Sequence, residues 1–518
     1  MPTYLTPGVY VEEVTSGKKP IEGVGTAVAA FVGLAPGGPV NVPMRIANWS
    51  QFVRIFGDTS NPDNGPFMEG AYLAHAVYGY FQNGGTLCWV VRVGAQENGK
   101  VSARAALPAA SDRSVEALRA VAVDGDNGPV DVEISEEESP PEGDPTYKVV
   151  VSSGGVREEF AGVTLRKGRT HVATKVNAES KLIKIEDTGA ALPEVRLAAG
   201  KYALQVPSVA PSEVKPADFE GDVARRRGMG GLAAIDEITM IAMPDMMQFA
   251  NGGGDGARVR DLQGKLIAHC ENAGERMAIL DCPPGLSPQE VYEWRMNAAG
   301  YDSKMAALYY PWIEVMDPLT RRPMAIPPSG HIAGVWARVD EQRGVHKAPA
   351  NEVVMGANGL GFQVTHAEQG SLNKNGVNCI RAFPGRGIRI WGARTLSSDP
   401  EWRYINVRRL FNFVSESIIS GTQWSVFEPN DPFLWTSLSI SVSNFLRNVW
   451  RSGALFGATP GEAFYVKCDA ETNPPEVVEA GRVVCEIGIA PVKPAEFVVF
   501  RLSQFTGGGA PEAAEGAE

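Results

Sequence analysis

The residues whose types could ligate a metal ion or take part in catalysis lie near the middle of the chain. His269 and Cys270 are adjacent, and Asp281 and Cys282 follow at the end of a short apolar run. Imidazole, thiolate and carboxylate are the ligands of zinc sites, so this group would suit a metal ion or a reactive thiol. No C-x-x-C or H-E-x-x-H spacing accompanies it. We therefore interpret these residues as the ends of a buried helix and a buried strand, and we predict no metal site.

Nucleotide and acyl chemistry would need other patterns. The glycine groups GVGTAV at 23–28 and GRGIRIWG at 385–392 lack the full G-x-G-x-x-G spacing, and no P-loop is present. Ser329, in PPSGH, does not stand in a G-x-S-x-G motif and is predicted to cap or precede a helix. No catalytic residue and no cofactor are therefore predicted. An α/β enzyme that binds a nucleotide or a sugar phosphate is the alternative from another functional class, because parallel α/β sheets often hold such ligands.

The composition indicates a folded, multidomain protein. Of 518 residues, 44% are hydrophobic and 21% are charged, which allows a large core and about three or four domains. The net charge of −12 argues against a general nucleic-acid binder. No secretory signal is visible, and the Pro-Gly-Gly-Pro at 36–39 interrupts the uncharged stretch 23–44, so no membrane span is predicted. Six cysteines without a C-x-x-C indicate reduced, buried thiols in a cytoplasmic product.

Buried strands that alternate with helices predict the main domain. TAVAAFVGLA, LCWVVRV, ITMIAMPD, RMAILDCP and KMAALYY are apolar runs of strand length, separated by amphipathic segments. This order predicts a mainly parallel α/β sheet with right-handed crossovers, built from residues 21–99 and 222–365. Between these ranges lie short β-rich runs with Gly, Pro and Asp turns, so residues 100–221 are predicted to form an inserted outer β domain. Its acidic run at 131–144 is interpreted as a solvated loop.

Residues 366–490 are predicted to form an α+β C-terminal domain with two amphipathic helices. A strand pair follows, because apolar and other residues alternate over 483–490. The whole chain is thus predicted to be a multidomain α/β and α+β protein. The first helix has an apolar stripe at Tyr404, Val407, Phe411, Val414 and Ile418; the second has one at Leu434, Leu438, Val442, Phe445 and Val449, opposite Asn444, Arg447, Asn448 and Arg451.

Both chain ends are predicted to be extended arms. Residues 1–20 contain VYVEEV, a short strand that is unstable unless it pairs. Residues 491–505 contain FVVF and form the second arm strand. In each case a strand of the protein's own sheet is the alternative, which for 496–502 means an internal core strand. Residues 506–518 are predicted to be a flexible acidic tail.

Long motifs occur in one order along the chain: LTPGVYVEEV at 5–14, NWSQFVRIFGD at 48–58, PPSGHIAGVWARVDEQRGVHKAPAN at 327–351, WGARTLSSDPEWRYINVRRL at 391–410 and IAPVKPAEFVVFRLSQF at 489–505. Together they resemble the contractile sheath family, which comprises phage tail sheaths and the sheaths of tail-like injection systems. The resemblance spans most of the chain except roughly residues 100–221. Phage tail, bacteriocin-like particle and cell-encoded injector all remain open.

The resemblance implies a structural protein and not an enzyme. Sheath proteins build stacked six-fold rings around an inner tube, and arms at the chain ends add strands to a small sheet on neighbouring subunits. Contraction from a metastable extended lattice then needs no nucleotide hydrolysis. The implied partners are further copies of the chain, an inner tube protein, and baseplate and terminator or cap proteins, with no nucleic acid and no direct membrane insertion. The arm strands are predicted at Val9, Tyr10, Val11, Val14, Phe497, Val498, Val499, Phe500 and Leu502.

Two arginines are predicted to face the tube. Arg447 and Arg451 lie on the polar face of the second helix, within residues 381–455, which hold nine Arg and five acidic residues. A local positive surplus in an acidic protein suits reversible contact with an acidic tube surface. Contact with a neighbouring subunit, or plain solvation, is the alternative. A tube or baseplate protein is a further rival, but tube proteins are much shorter and lack this series of motifs.

Overall fold

Within the described residues of this computed structural model, the chain folds into 21 β-strands and 12 α-helices. The structure describes residues 20–58, 64–94, 103–113, 115–123, 130–137, 144–153, 155–188, 195–204, 211–251 and 256–499. The strands are β1 (Ala29–Gly33), β2 (Met44–Ile46), β3 (Cys88–Arg92), β4 (Arg104–Pro108), β5 (Glu116–Ala122), β6 (Val130–Glu137), β7 (Thr146–Ser153), β8 (Val156–Val163), β9 (Ile183–Asp187), β10 (Gly200–Ala203), β11 (Met240–Ala242), β12 (Met277–Asp281), β13 (Ala306–Tyr310), β14 (Ile313–Met316), β15 (Pro323–Ile326), β16 (Glu352–Val353), β17 (Gly359–Leu360), β18 (Val377–Phe383), β19 (Gly387–Ile390), β20 (Phe464–Lys467) and β21 (Glu486–Ile489). The helices are α1 (Trp49–Phe56), α2 (Leu73–Gln82), α3 (Val172–Glu179), α4 (Pro216–Glu220), α5 (Ala257–Ala273), α6 (Pro288–Glu293), α7 (Ser329–Arg343), α8 (His366–Lys374), α9 (Ile405–Gly421), α10 (Pro432–Arg451), α11 (Pro460–Ala463) and α12 (Pro475–Glu479).

A nine-stranded sheet forms the centre of the main domain, in the order β16-β19-β18-β13-β12-β11-β1-β3-β2. Its six central strands, from β18 to β3, run parallel, and the strands towards both edges are antiparallel. Each of the five apolar runs identified in the sequence contains one of these central strands. The prediction of a mainly parallel α/β sheet is confirmed.

Helices cover both faces of this sheet. Ala30 and Val32 of β1 point to one face and join the core made with α5, whereas Ala29 and Phe31 point to the other face and pack with α2 and α7. Because side chains of a strand alternate between the two faces, a strand buried on both sides reads as a continuous apolar run. A small sheet, β15-β14-β17, lies beside the second of these cores.

The inserted domain has its own core. A four-stranded sheet, β10-β6-β7-β8, and a three-stranded sheet, β4-β5-β9, enclose it together with α3. Val132 of β6, Leu118 of β5 and Val176 of α3 all belong to this core. Val214 and Phe219, in contrast, pack in the core of the main domain. The insert therefore ends before Val214, earlier than the predicted boundary at 221.

The C-terminal domain begins later than predicted. β18 and β19 extend the main sheet, since Leu308 of β13 pairs with Val377. The boundary predicted at 366 is therefore too early, and the domain change falls after β19. In the C-terminal domain, the five apolar residues of α10 are buried as predicted; on α9, Val407 and Val414 are buried while Phe411 and Ile418 are half-buried.

Helix α9 joins the two domains. Ile405, at its start, packs in the main core, and Leu410 and Val414 pack in the C-terminal core. Between them, Arg409 forms an ion pair with Asp340 of α7 at 2.5 Å, with 4% and 3% of the two side chains exposed. One helix thus carries both apolar and ionic contacts across the domain boundary.

Candidate functional site: the C-terminal domain

The hairpin of β20 and β21 has free edges. The two strands pair antiparallel with Val466 opposite Ile487, and these residues pack with Ile489 against the C-terminal core. Among the described residues no third strand pairs with either, although Leu455 forms a single bridge with Pro491 just beyond β21. A two-stranded sheet is only marginally stable by itself, and its outer edges are a template for strand addition.

Beyond the hairpin the chain runs back onto the main domain. The Val492 N–H donates to the Ala454 carbonyl at 3.3 Å, and the Val492 carbonyl accepts from Asn406 Nδ2 at 3.2 Å. The same amide group of Asn406 donates to the His346 carbonyl at 2.7 Å. Because Asn406 lies in the first turn of α9, this segment is held where the two domains meet.

Glu496 is the next fixed point. Arg394 donates to its carboxylate from Nε at 2.9 Å and from Nη2 at 2.6 Å. Asn373 Nδ2 donates to Oε1 at 2.6 Å, and the Tyr404 hydroxyl donates to Oε2 at 3.1 Å. Burial acts to raise the pKa of Glu496, but the hydrogen bonds from Arg394 and Asn373 outweigh it and hold the pKa below its usual value. The carboxylate is therefore charged at neutral pH and anchors the segment to the main domain.

The three residues that follow this anchor are exposed. Phe497, Val498 and Val499 are 74%, 70% and 79% exposed and belong to no strand. A run of large apolar side chains with this exposure is typical of an interaction site. The alternative of an internal core strand is wrong for these three residues, whereas Phe500 and Leu502, like Val9, Tyr10, Val11 and Val14, lie outside the described residues.

Helix α10 presents a polar face. It begins after Asp431, whose carboxylate accepts from the Leu434 N–H at 2.9 Å as an N-cap. Arg447 and Arg451 are exposed on the side away from the core, and Arg447 donates to Asn444 at 3.1 Å. In the part of the chain that the structure describes, no carboxylate lies within ion-pair distance of either arginine.

The residues considered for catalysis have structural roles. Asp281, at the end of β12, accepts from the N–H of Ser329 at 2.9 Å, so it caps α7, and burial raises its pKa to about 7. His269 contacts Arg276 at 3.3 Å, and burial lowers the pKa of His269 to about 4. Cys270 and Cys282 are buried in the main core. Within the described ranges, no group of three or more His, Cys, Asp or Glu is placed to hold a metal ion.

Two features of the site had no clear sequence signal. The anchor at Glu496 depends on Asn373, Arg394 and Tyr404, all at least 92 residues away in sequence. Its only local sign is a single acidic residue at the start of an apolar run. The free edges of the hairpin follow from topology and not from composition.

Across the described residues, no helix is both long and apolar enough to cross a bilayer.

Comparisons with known proteins identify the family. Residues 230–396 match the model of the phage tail sheath protein central domain, and residues 397–505 match the model of the phage tail sheath C-terminal domain, together more than half of the chain. The chain belongs to the phage tail sheath family. The junction of the two matches, at 396, falls after β19, where the structure also places the domain change.

Full-length relatives agree with this assignment. The chain is 25% identical over 491 residues to the tail sheath protein of Burkholderia phage BcepMu, with 92% of each chain covered. It is similar to a chain of the anti-feeding prophage helical sheath in its contracted state, with a TM-score of 0.58, 25% identity and coverage of 97% of this chain and 100% of that one. A chain of the PVC sheath complex, from an extracellular contractile injection system, shares the fold at a TM-score of 0.59 and 23% identity, with 97% and 99% covered. This protein is a contractile sheath subunit of a phage tail or contractile injection system, and the enzyme alternative finds no support.

Proposed function

We propose that this sheath subunit polymerises by strand exchange into a six-fold helical cylinder around an inner tube. One observation carries the proposal: the chain has an exposed apolar segment at 497–499 and a hairpin with free edges, β20–β21, and the two are not paired with each other. A strand donor and a strand acceptor that do not pair within one subunit can pair between subunits. Such a head-to-tail contact joins two different surfaces of the subunit. When it is repeated from subunit to subunit, it generates rings or open helical arrays.

The strength of one such link follows from its parts. About five ladder hydrogen bonds at a net ~1 kcal/mol each, together with buried Phe and Val side chains, give several kcal/mol. The anchor at Glu496 fixes the point from which the donor strand departs, so its orientation is determined before it meets a neighbour. The link would therefore persist as a hinge while other interfaces between subunits change.

The same proposal covers the mechanical cycle. Sheath contraction would drive the tube outward as the lattice passes from a metastable extended form to a contracted one, without nucleotide hydrolysis. Further copies of the chain, an inner tube protein, and baseplate and terminator or cap proteins would be the partners, assembled in the cytoplasm of the producing cell. The separate core of the insert is consistent with an outward position, with the C-terminal domain towards the tube.

Assembly of the purified chain tests this function. We expect the full-length protein to form hollow cylinders by negative-stain microscopy as its concentration is raised. Sedimentation velocity should show a matching transition from monomer to very large species. A protein that stays monomeric, or that stops at small discrete oligomers at high concentration, would contradict polymerisation by strand exchange.

We also propose that Arg447 and Arg451 contact the tube. Both are exposed on one face of α10 and pair with no carboxylate of the described residues, so their charge is available to a partner. The positive surplus of this region is smaller at the surface than in the sequence, because Arg408 and Arg409 are buried. The two exposed arginines are therefore a substantial part of the charge that an acidic tube surface would meet.

Reversing both charges, in R447E/R451E, is expected to prevent sheath assembly on tubes while leaving folding and self-polymerisation intact. The measurement is the fraction of co-expressed inner tubes that carry sheath in electron micrographs, at low and high salt, because such contacts weaken as salt rises. K167E/R169E, which reverses two exposed charges on the insert, is the matched control. Full-length sheath on tubes in R447E/R451E would assign the arginines to another surface.

A further inference from the structure

Two cysteines at the loop end of the C-terminal hairpin have no part in the assembly described above. Cys468 directly follows β20, and Cys485 directly precedes β21. Both are free thiols; Cys468 is buried and Cys485 is partly exposed. The other four cysteines are buried in the main domain.

The register of the hairpin places these thiols face to face. Lys467 pairs with Glu486, so one further step along each strand sets Cys468 opposite Cys485. The Ala490 N–H donates to the Ala463 carbonyl, which lies opposite it, at 2.9 Å, so Ala463 and Ala490 form a hydrogen-bonded pair. Hydrogen-bonded and non-hydrogen-bonded pairs alternate along an antiparallel ladder. Counting from this pair, Cys468 and Cys485 fall at a non-hydrogen-bonded position, where Cα atoms are about 4.5 Å apart. Disulfides span Cα separations of about 4.4 to 6.8 Å.

Asn473 holds the backbone on both sides of the pair. Its Nδ2 donates to the Val484 carbonyl at 3.0 Å, its Oδ1 accepts from the Val484 N–H at 2.7 Å, and its Nδ2 lies 3.9 Å from the Cys468 sulfur. The Asn473 side chain, which is only 2% exposed, thereby substitutes for a strand next to Cys485. The Asn473 side chain thus fixes the backbone next to Cys485 and also contacts the Cys468 sulfur.

We propose that Cys468 and Cys485 form a reversible disulfide that closes the loop 469–484 onto the hairpin. The oxidant is a small-molecule disulfide such as glutathione disulfide, met outside the reducing cytoplasm. The Cys485 thiolate, on the more exposed of the two residues, attacks one glutathione sulfur and releases one glutathione thiolate. The Cys468 thiolate then attacks the Cys485 sulfur and releases the second glutathione. Two thiols lose two electrons to the glutathione disulfide, and their two protons pass to the released glutathiones.

The environment of the pair sets the rate of this reaction. Burial, together with the neighbouring thiol, raises the pKa of Cys485 to about 12, and burial raises that of Cys468. Only a small thiolate fraction exists at neutral pH, so oxidation is slow, and the reducing poise of the cytoplasm would keep the pair reduced during assembly. Below the pKa the thiolate fraction grows about tenfold per pH unit, and the oxidation rate should follow it.

Thiol counting on the full-length protein tests the site. After incubation with glutathione disulfide, denatured protein is expected to show four titratable thiols in place of six, with a Cys468–Cys485 linked peptide by mass spectrometry. Oxidation should proceed about tenfold faster at pH 8 than at pH 7, and dithiothreitol should restore all six thiols. Hydrogen exchange in 469–484 should slow on oxidation and recover on reduction.

Variants separate this pair from the other cysteines. C379A should still lose two thiols, whereas C468S should form no intramolecular disulfide and should lose at most one thiol, to a glutathione adduct on Cys485. Six free thiols in oxidised wild-type protein, a persistent glutathione adduct on Cys485 of wild type, or a disulfide to a core cysteine would each overturn the proposal. Polymerisation has no bearing on these readouts, so failure of the proposed strand exchange would leave this test unaffected.

Discussion

F497D/V499D is expected to abolish polymerisation while leaving the subunit folded. The two side chains are 74% and 79% exposed, so the folded monomer loses almost no packing when they change. Residues two apart on a strand face the same side, so in a donated strand both would enter the neighbour's core together. Burying two unpaired charges there costs several kcal/mol each. A loss of about 4 kcal/mol lowers the association constant ~1000-fold, so assembly should be lost at any practical concentration.

Critical concentration measures this effect. Wild type and F497D/V499D are compared by sedimentation and negative-stain microscopy over the same concentration series, and thermal unfolding reports whether the subunit remains folded. V156D/V223D, two exposed apolar residues elsewhere that are 55% and 63% exposed, is the matched control for a general gain in solubility. Deletion of 506–518 should not affect cylinder formation. Cylinders of F497D/V499D at the wild-type concentration would rule out 497–499 as the donor.

The sequence predicted the main sheet well because burial on both faces leaves a local signature. A strand such as β12 carries five buried residues in succession, and few other structures give such short apolar runs between amphipathic helices. The stripe on α10 was predictable for a similar reason, because helical spacing separates the buried Val442 and Phe445 from the exposed Arg447. Both signals depend only on neighbouring residues.

Domain boundaries were harder to predict because pairing partners are not local. β18 has the pattern of a buried strand, but periodicity does not indicate which sheet the strand joins, and it was assigned to the C-terminal domain. Phe219 likewise follows the insert in sequence yet packs on the main core. In both cases tertiary contacts decided what composition and spacing left open.

The candidate site was predicted only in part, for the same physical reason. The run FVVF marked an arm, but its anchor at Glu496 is made by residues from three distant segments. Cys468 and Cys485 lie far apart in sequence and fit no thiol motif; the antiparallel hairpin brings them together. Where a site depends on the convergence of remote residues, only the fold reveals it.

R409M is expected to lower the free energy of unfolding by about 3 to 5 kcal/mol, the usual effect of removing one partner of a buried ion pair. Arg409 donates to Asp340 Oδ1 at 2.8 Å and to Oδ2 at 2.5 Å, and also to the Thr26 carbonyl at 2.9 Å. Its guanidinium lies 4.8 Å from the centre of the Trp336 ring. In R409M the Asp340 carboxylate stays buried and keeps the hydrogen bond from the Thr26 hydroxyl, at 2.7 Å, but loses its charged partner. The instability should appear first as separation of the C-terminal domain, because this pair lies at the domain boundary.

Denaturant unfolding of matched variants distinguishes this effect from loss of any arginine. R45M removes the same side chain from a surface pair with Glu237, where the side chains are 56% and 41% exposed, and should cost at most about 1 kcal/mol. R409M/D340L removes both buried charges and should recover much of the stability, because the penalty in R409M comes mainly from the carboxylate left without its partner. Limited proteolysis of R409M should cut near the start of α9 before other sites. If R409M is no less stable than R45M, or if R409M/D340L is no more stable than R409M, then the buried pair does not hold the two domains together.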